Sequence, residues 1–226
     1  MTTARIVKRI GIWTGIGLVT TVVIVVAALY IFSGSIVGPA LAPLQLSPLS
    51  PATQNARTAS PDGTWRAGDG SIAGFRVQEA FLVQSGTIVG RTSAMTGSLV
   101  ISHHEIISGS FPVDLSKLTI GGKPNASFFQ LMETRKYPDA TLTLTKTIVF
   151  ASIPTNGQTI SSKATASLAM HGITHTVTFT IMARSNGTVL EATGTVPFLA
   201  SDWSITSPFG IQNHDVIEFL VVLRRG

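Results

Sequence analysis

Thr141-Leu142-Thr143-Leu144-Thr145 and Thr176-Val177-Thr178-Phe179-Thr180-Ile181 alternate one Thr with one apolar residue. Successive side chains on a strand point to opposite faces, so each stretch has one dry face and one wet face. Thr is β-branched and polar, which suits the wet face. One-faced strands must pack against a second sheet or close on themselves. Closure with about eight strands leaves an interior that is filled by side chains or open to one small ligand.

Working outward, the same period extends over most of the chain after residue 61. It predicts strands at 64–67, 72–81, 88–90, 95–102, 106–115, 141–151, 159–170, 174–184, 188–199 and 216–224. Asn156-Gly157 and Asn186-Gly187 are tight hairpin signals, because a type I′ turn needs positive φ at both central residues. His171-Gly172 lies between two alternating runs and reads as a third turn. One stretch breaks the pattern. Ser127 to Glu133 has apolar residues at the spacing of a short amphipathic helix, with Asn125 or Ser127 as its cap and Tyr137-Pro138 as its end. It is placed over a barrel opening. The fold class is therefore all-β: one-faced strands that pack as two sheets or close as a barrel, with a short covering helix.

The N-terminal part is different. Ile10 to Phe32 is uncharged and mostly aliphatic, long enough as a helix to span a bilayer core of roughly 30 Å. Arg5, Lys8 and Arg9 precede it and the next basic residue is Arg57, which puts residues 1–9 in the cytoplasm and the rest outside. The run exceeds the usual core of a cleaved export signal, so it reads as an uncleaved transmembrane signal anchor. Residues 33–60, with Pro39, Pro43, Pro48 and Pro51, form a semi-rigid linker. Its Leu residues suit contact with the membrane or with the domain. Residues 61–226 are one domain.

Charge and composition exclude several classes. Of 16 Lys and Arg, four precede residue 61, while all 11 Asp and Glu follow it. The formal net charge of +5 thus belongs mainly to the N-terminus, and the domain offers no basic stripe for nucleic acid. There is no Cys, hence no disulfide and no thiol chemistry. His171 and His175 are four apart and His103-His104 adjoin, but the first pair straddles a turn and no carboxylate triad accompanies them. No metal site is assigned. No Gly-x-Ser-x-Gly elbow occurs, and Asp114, Asp202 and Asp215 read as turn acids, so no catalytic residue is assigned either.

The candidate ligand-binding residues are the inward apolar positions and the covering helix: Phe75, Val77, Phe111, Val113, Phe128, Phe129, Leu131, Met132, Leu142, Leu144, Phe179, Ile181 and Trp203. A lipid site needs an apolar lining with few polar groups. For any single one of them, ordinary core packing explains the pattern equally well.

Several blocks, in order, are similar to one family. They are Gly63-Thr64-Trp65, Gly70 to Val77, Val89-Gly90-Arg91-Thr92, Met95 to Leu99, Gly109 to Leu115, Phe128-Phe129 and Lys136 to Ala140. Next comes Ala166-Ser167-Leu168-Ala169-Met170-His171-Gly172-Ile173-Thr174-His175, similar to a hairpin of the form G-x-L-T-x-x-G-V-T-R. Thr193 to Pro197, Ser201 to Ile205 and Asp215 to Phe219 complete the series. From Asp62 to Arg224 the chain resembles the YceI-like, polyisoprenoid-binding family. The resemblance implies an extended, lipocalin-like antiparallel β-barrel outside the cytoplasm, with a long-chain isoprenoid or quinone-like amphiphile in its core and no other cofactor. Pro124-Asn125-Ala126-Ser127 departs from the Arg-Asp that the family often carries before the helix. The expected partners are that lipid and, through the anchor, the membrane; a homodimer is compatible with this reading. The rivals are a filled barrel serving as an interaction module and an enzyme acting on the same lipid. The enzyme would need convergent polar groups inside the barrel, where the inward positions read as apolar.

Overall fold

A computed structural model describes residues 40–48, 60–81, 84–150, 157–185, 188–206 and 215–226. The apolar run 10–32 lies outside them, as do Asn156 and the Asn186-Gly187 turn. Among the described residues no helix is long and apolar enough to cross a membrane.

The described strands are β1 (Gly63–Ala67), β2 (Ile72–Phe81), β3 (Gln84–Thr92), β4 (Ser98–Ser102), β5 (Glu105–Asp114), β6 (Thr119–Ile120), β7 (Lys123–Pro124), β8 (Asp139–Leu144), β9 (Ile148–Val149), β10 (Ile160–Met170), β11 (Ile173–Ser185), β12 (Val189–Pro197) and β13 (Val216–Arg225). A helix, α1 (Ala126–Leu131), lies between β7 and β8. Every pairing is antiparallel. The ring runs β1-β4-β5-β8-β10-β11-β12-β13 and closes where Trp65 to Ala67 pair with Leu223 to Arg225. The other half of β13 pairs with β2, and β3, β6 and β7 continue from β2 as a wing. The all-β barrel with one short helix is therefore the observed fold.

The alternation in Thr176 to Ile181 sorts the two faces of β11 cleanly. Val177 and Phe179 are buried in the core, while Thr176, Thr178 and Thr180 are exposed. On β10 the inward Ala164, Ala166, Leu168 and Met170 face them, with Ala164 opposite Phe179 and Ala166 opposite Val177. Trp65 of β1 is almost fully buried, and its indole N–H donates to the Pro61 carbonyl at 2.7 Å.

Some boundaries differ from expectation. The strand expected over 141–151 is two pieces, because β8 ends at Leu144 and pairing with β5 resumes only in β9, opposite Glu105 and Ile106 and shifted by one residue. Thr145 marks the break, its N–H and hydroxyl both donating to the Thr165 carbonyl. Met95 to Gly97, expected as strand, lie before β4 begins at Ser98, although Met95 bridges Val113. At 199–203 the chain makes a 3-10 turn, Ala200–Trp203. The β6–β7 hairpin was not expected, yet Gly121-Gly122 carries a hairpin signal. Both glycines take positive φ, 59° and 76°.

His103-His104 and His171-Gly172 form two-residue turns of the same kind, with positive φ at all four residues. Gly172 is further constrained, since a Cβ there would lie 2.7 Å from the Tyr137 ring. Gly172→Val combines a β-branched residue at positive φ with that clash. It should lower the melting temperature by roughly 4–8 °C, from about 2 kcal/mol of strain in a domain of this size. Circular dichroism melts of the two proteins check it; equal midpoints would show that the turn relaxes freely.

Candidate functional site

The site is built from a short helix packed against the apolar core of the barrel. Asn125 caps α1: its side-chain oxygen accepts from the Phe128 N–H at 2.9 Å, and Ser127 lies inside the helix rather than at its cap. Phe128 is buried, at 8% exposure, and Met132 follows it into the core, while Phe129 and Leu131 are half-buried against the core. The Phe128 ring stacks on Phe75 of β2 at 5.4 Å and 16°, and meets Phe129 edge-on at 5.9 Å. Phe75 can lie there because its neighbour across the ladder is Gly90, where a Cβ would come within 2.4 Å of the ring. The other end of the cover is clamped as well. Tyr137 packs edge-on against His171 at 5.1 Å, which ties the segment after α1 to the β10–β11 turn.

Beneath the helix the walls are unequal. On the side of β1, β12 and β13 the inward Trp65, Leu190, Val196, Val221 and Leu223 are buried. On β2, β5 and β8 the inward Phe75, Phe111, Val113, Leu142 and Leu144 are only half-buried, although they pack against the core. Phe111 and Leu142 sit directly opposite each other, and Leu142 in turn faces the buried Leu168. Ile181 of β11 is half-buried too, as is Val77, which shares a face of β2 with Phe75. Such residues on central strands are shielded by both neighbouring strands. What accessible surface they keep is apolar.

The structure brings Phe75, Phe128 and Phe129 into one aromatic cluster and Phe111, Val113, Leu142 and Leu144 onto one wall. It separates Phe179 and Trp203 from that open wall. Phe179 is core, packed edge-on to Phe219 at 5.7 Å. Trp203 is 2% exposed in its 3-10 turn and donates its indole N–H to the Leu168 carbonyl at 3.4 Å. Phe219 was not singled out from the sequence. The alternation Phe219-Leu220-Val221-Val222-Leu223 carries the signal, but without the structure either parity could face inward.

The histidines act as struts. The His171 Nδ1 donates to the Trp203 carbonyl and the His175 Nε2 to the Asp202 carbonyl, each at 2.9 Å. Among the described residues no group of three or more His, Asp or Glu could hold a metal ion. Asp114 serves a turn, accepting from the Ser116 N–H at 2.8 Å.

A closed antiparallel ring with a short helix packed against its apolar core defines a lipocalin-like barrel. The family model for the YceI-like domain matches residues 65–223. The chain belongs to the YceI-like domain family. Among solved structures it is similar to a polyisoprenoid binding domain from Saccharophagus degradans, 15% identical with a TM-score of 0.56, over 73% of this chain and 99% of that one. It is similar to BcnA of Burkholderia cenocepacia, 18% identical with a TM-score of 0.53, over 67% and 95% of the two chains. It also resembles a YceI protein of Campylobacter jejuni, 14% identical with a TM-score of 0.51, over 66% and 90%. At these identities the likeness is one of fold. A comparison with curated proteins finds no match.

Proposed function

We propose that the chain binds a long-chain isoprenoid or quinone-like amphiphile in its barrel, outside the cytoplasm, without catalysis of its own. The proposed ligand-binding residues are those of the open wall and the cover, with Phe179 and Trp203 as supporting core. The observation that carries this reading is the half-exposed apolar wall of Phe111, Val113, Leu142 and Leu144 under the Phe75–Phe128 stack. Each methylene moved from water onto such a wall contributes about 0.8 kcal/mol, so the tail dominates affinity and the headgroup sets orientation. Residues 10–32 are proposed as the anchor that keeps the barrel beside the membrane holding the ligand. A reporter fused after Gly226 should be active only outside the cytoplasm; cytoplasmic activity would reverse that topology.

Mass spectrometry of organic extracts from natively purified protein tests the binding itself. Extractable long-chain lipid supports it. If none is found, and isoprenoids added in detergent neither bind nor raise the melting temperature, the filled-barrel interaction module is the better account. Phe129→Ser gives a sharper check. Phe129 is half-buried at the cover, so its loss removes apolar contact near the ligand without opening the core. Lipid retention should fall about tenfold, equivalent to about 1.4 kcal/mol or two methylenes of burial, with the β spectrum unchanged. Unchanged retention would place the ligand elsewhere.

A further inference from the structure

The outer wall of the barrel carries a second built site. Residues 40–48 run across β3, β2, β13, β12 and β11 rather than along any strand. Four of the segment's carbonyls are taken by side chains of that wall. Arg76 donates to the Leu41 carbonyl at 2.6 Å, Arg91 to that of Ala42 and Arg184 to that of Ser47, while the Thr193 hydroxyl, which donates to the Phe219 carbonyl at 2.8 Å, shares its proton with the Leu44 carbonyl at 3.3 Å. In return the Leu44 N–H donates to Glu218 at 3.2 Å and the Ser47 hydroxyl to Glu191 at 2.7 Å. Leu44 and Leu46 are half-buried while Gln45 and Ser47 are exposed, the period-two pattern of an extended segment lying on a surface.

The receiving side is a cluster of ion pairs. Glu218 points outward from β13, yet it is 1% exposed. Arg91 reaches its carboxylate from β3 at 2.7 Å by passing over Gly74 of β2, where a Cβ would lie 3.0 Å from the Arg91 side chain. Arg76 stands 3.6 Å from the same carboxylate. Arg184 and Glu191, opposite each other on β11 and β12, pair at 2.6 Å. Three guanidinium groups against two carboxylates leave N–H donors in excess, and backbone carbonyls are the acceptors that match them. A closed ring offers no free edge on this face, so side chains do what an edge strand does in β-augmentation.

We infer that this face is a peptide-recognition site for an extended, proline-flanked apolar segment, and that its occupant is this chain's own residues 40–48. Recognition is mostly of backbone, with Leu44 and Leu46 supplying apolar contact.

The test nicks the full chain. A site-specific protease sequence is inserted between Thr53 and Gln54, the protein is cleaved in detergent, and the N-terminal piece is captured by a terminal tag. The barrel piece should stay bound, and should leave at least tenfold faster from a chain carrying Leu44→Pro and Leu46→Asp. Those changes remove the N–H that donates to Glu218 and the apolar contact of Leu46, without touching any strand. Equal release from both proteins, whether fast or slow, overturns the site: fast release means that the segment is not held, slow release that something else holds it. The readout needs neither bound lipid nor a membrane, so its failure leaves the lipid-binding reading untouched.

Discussion

Phe179→Asp is expected to abolish the cooperative melt of the barrel, and ligand retention with it. The Phe179 ring lies on the inward face of β11, opposite Ala164 and edge-on to Phe219. Truncating a buried Phe costs about 3–5 kcal/mol by itself. The introduced carboxylate adds a desolvation penalty of at least about 2 kcal/mol, because its neighbours there are apolar. The sum rivals the whole stability of an ordinary domain, about 5–15 kcal/mol. Phe179→Leu is the control. It keeps an apolar side chain and should cost no more than about 1.5 kcal/mol. Circular dichroism of both variants separates the cases. A cooperative β-type melt in the Asp variant would mean that residue 179 faces water and that the two faces of β11 are reversed.

The faces of β10 and β11 were legible because Thr and Ser alternate there with apolar residues over long runs. A period of two then fixes parity without further information. The same logic placed Phe111 and Val113 on one face of β5 and Leu142 and Leu144 on one face of β8. It failed where apolar residues are contiguous, as in Phe219 to Leu223, since both parities look inward there. It overran at Thr145, where the strand is interrupted and then resumes on the same partner, β5, one residue out of register. The helix was legible from its spacing, but which of its rings reach the wall was not. The Phe75–Phe128 stack depends on Gly90, whose missing side chain leaves no trace in a hydropathy pattern.

The outer wall shows a different limit. In the sequence Glu218, Arg76 and Arg91 stand as single charged residues in separate strand stretches, and nothing there marks them as one cluster. Nor does alternation supply a cover drawn from residues 40–48, remote in sequence. The Leu content of the linker pointed to contact with the membrane or the domain without choosing between them. The chemistry of the wall decides for the domain, because excess guanidinium donors meet backbone carbonyls.

Glu218→Ala is the second large effect expected. Removing one partner of a buried ion cluster leaves the others uncompensated, at about 3–5 kcal/mol. Here the remaining groups are two guanidinium groups, Arg76 and Arg91, held near each other around an empty place, and the Leu44 N–H loses its acceptor. Both arginines keep some access to water, so the lower end of that range applies. The melting temperature should fall by on the order of 10 °C. A midpoint within 2 °C of the parent would show that the cluster is solvated and that the segment does not seal it. The triple change Arg76→Met, Arg91→Met and Glu218→Leu then asks what the charges are for. Replacing a whole buried cluster by apolar residues of similar size is often neutral or stabilising. The triple variant should therefore regain at least half of the lost stability, yet its nicked form should shed the N-terminal piece as quickly as the Leu44→Pro, Leu46→Asp chain does. Recovery of the melt without recovery of the attachment would separate the two roles. The barrel stands on its apolar core, and the ion cluster serves to hold the segment.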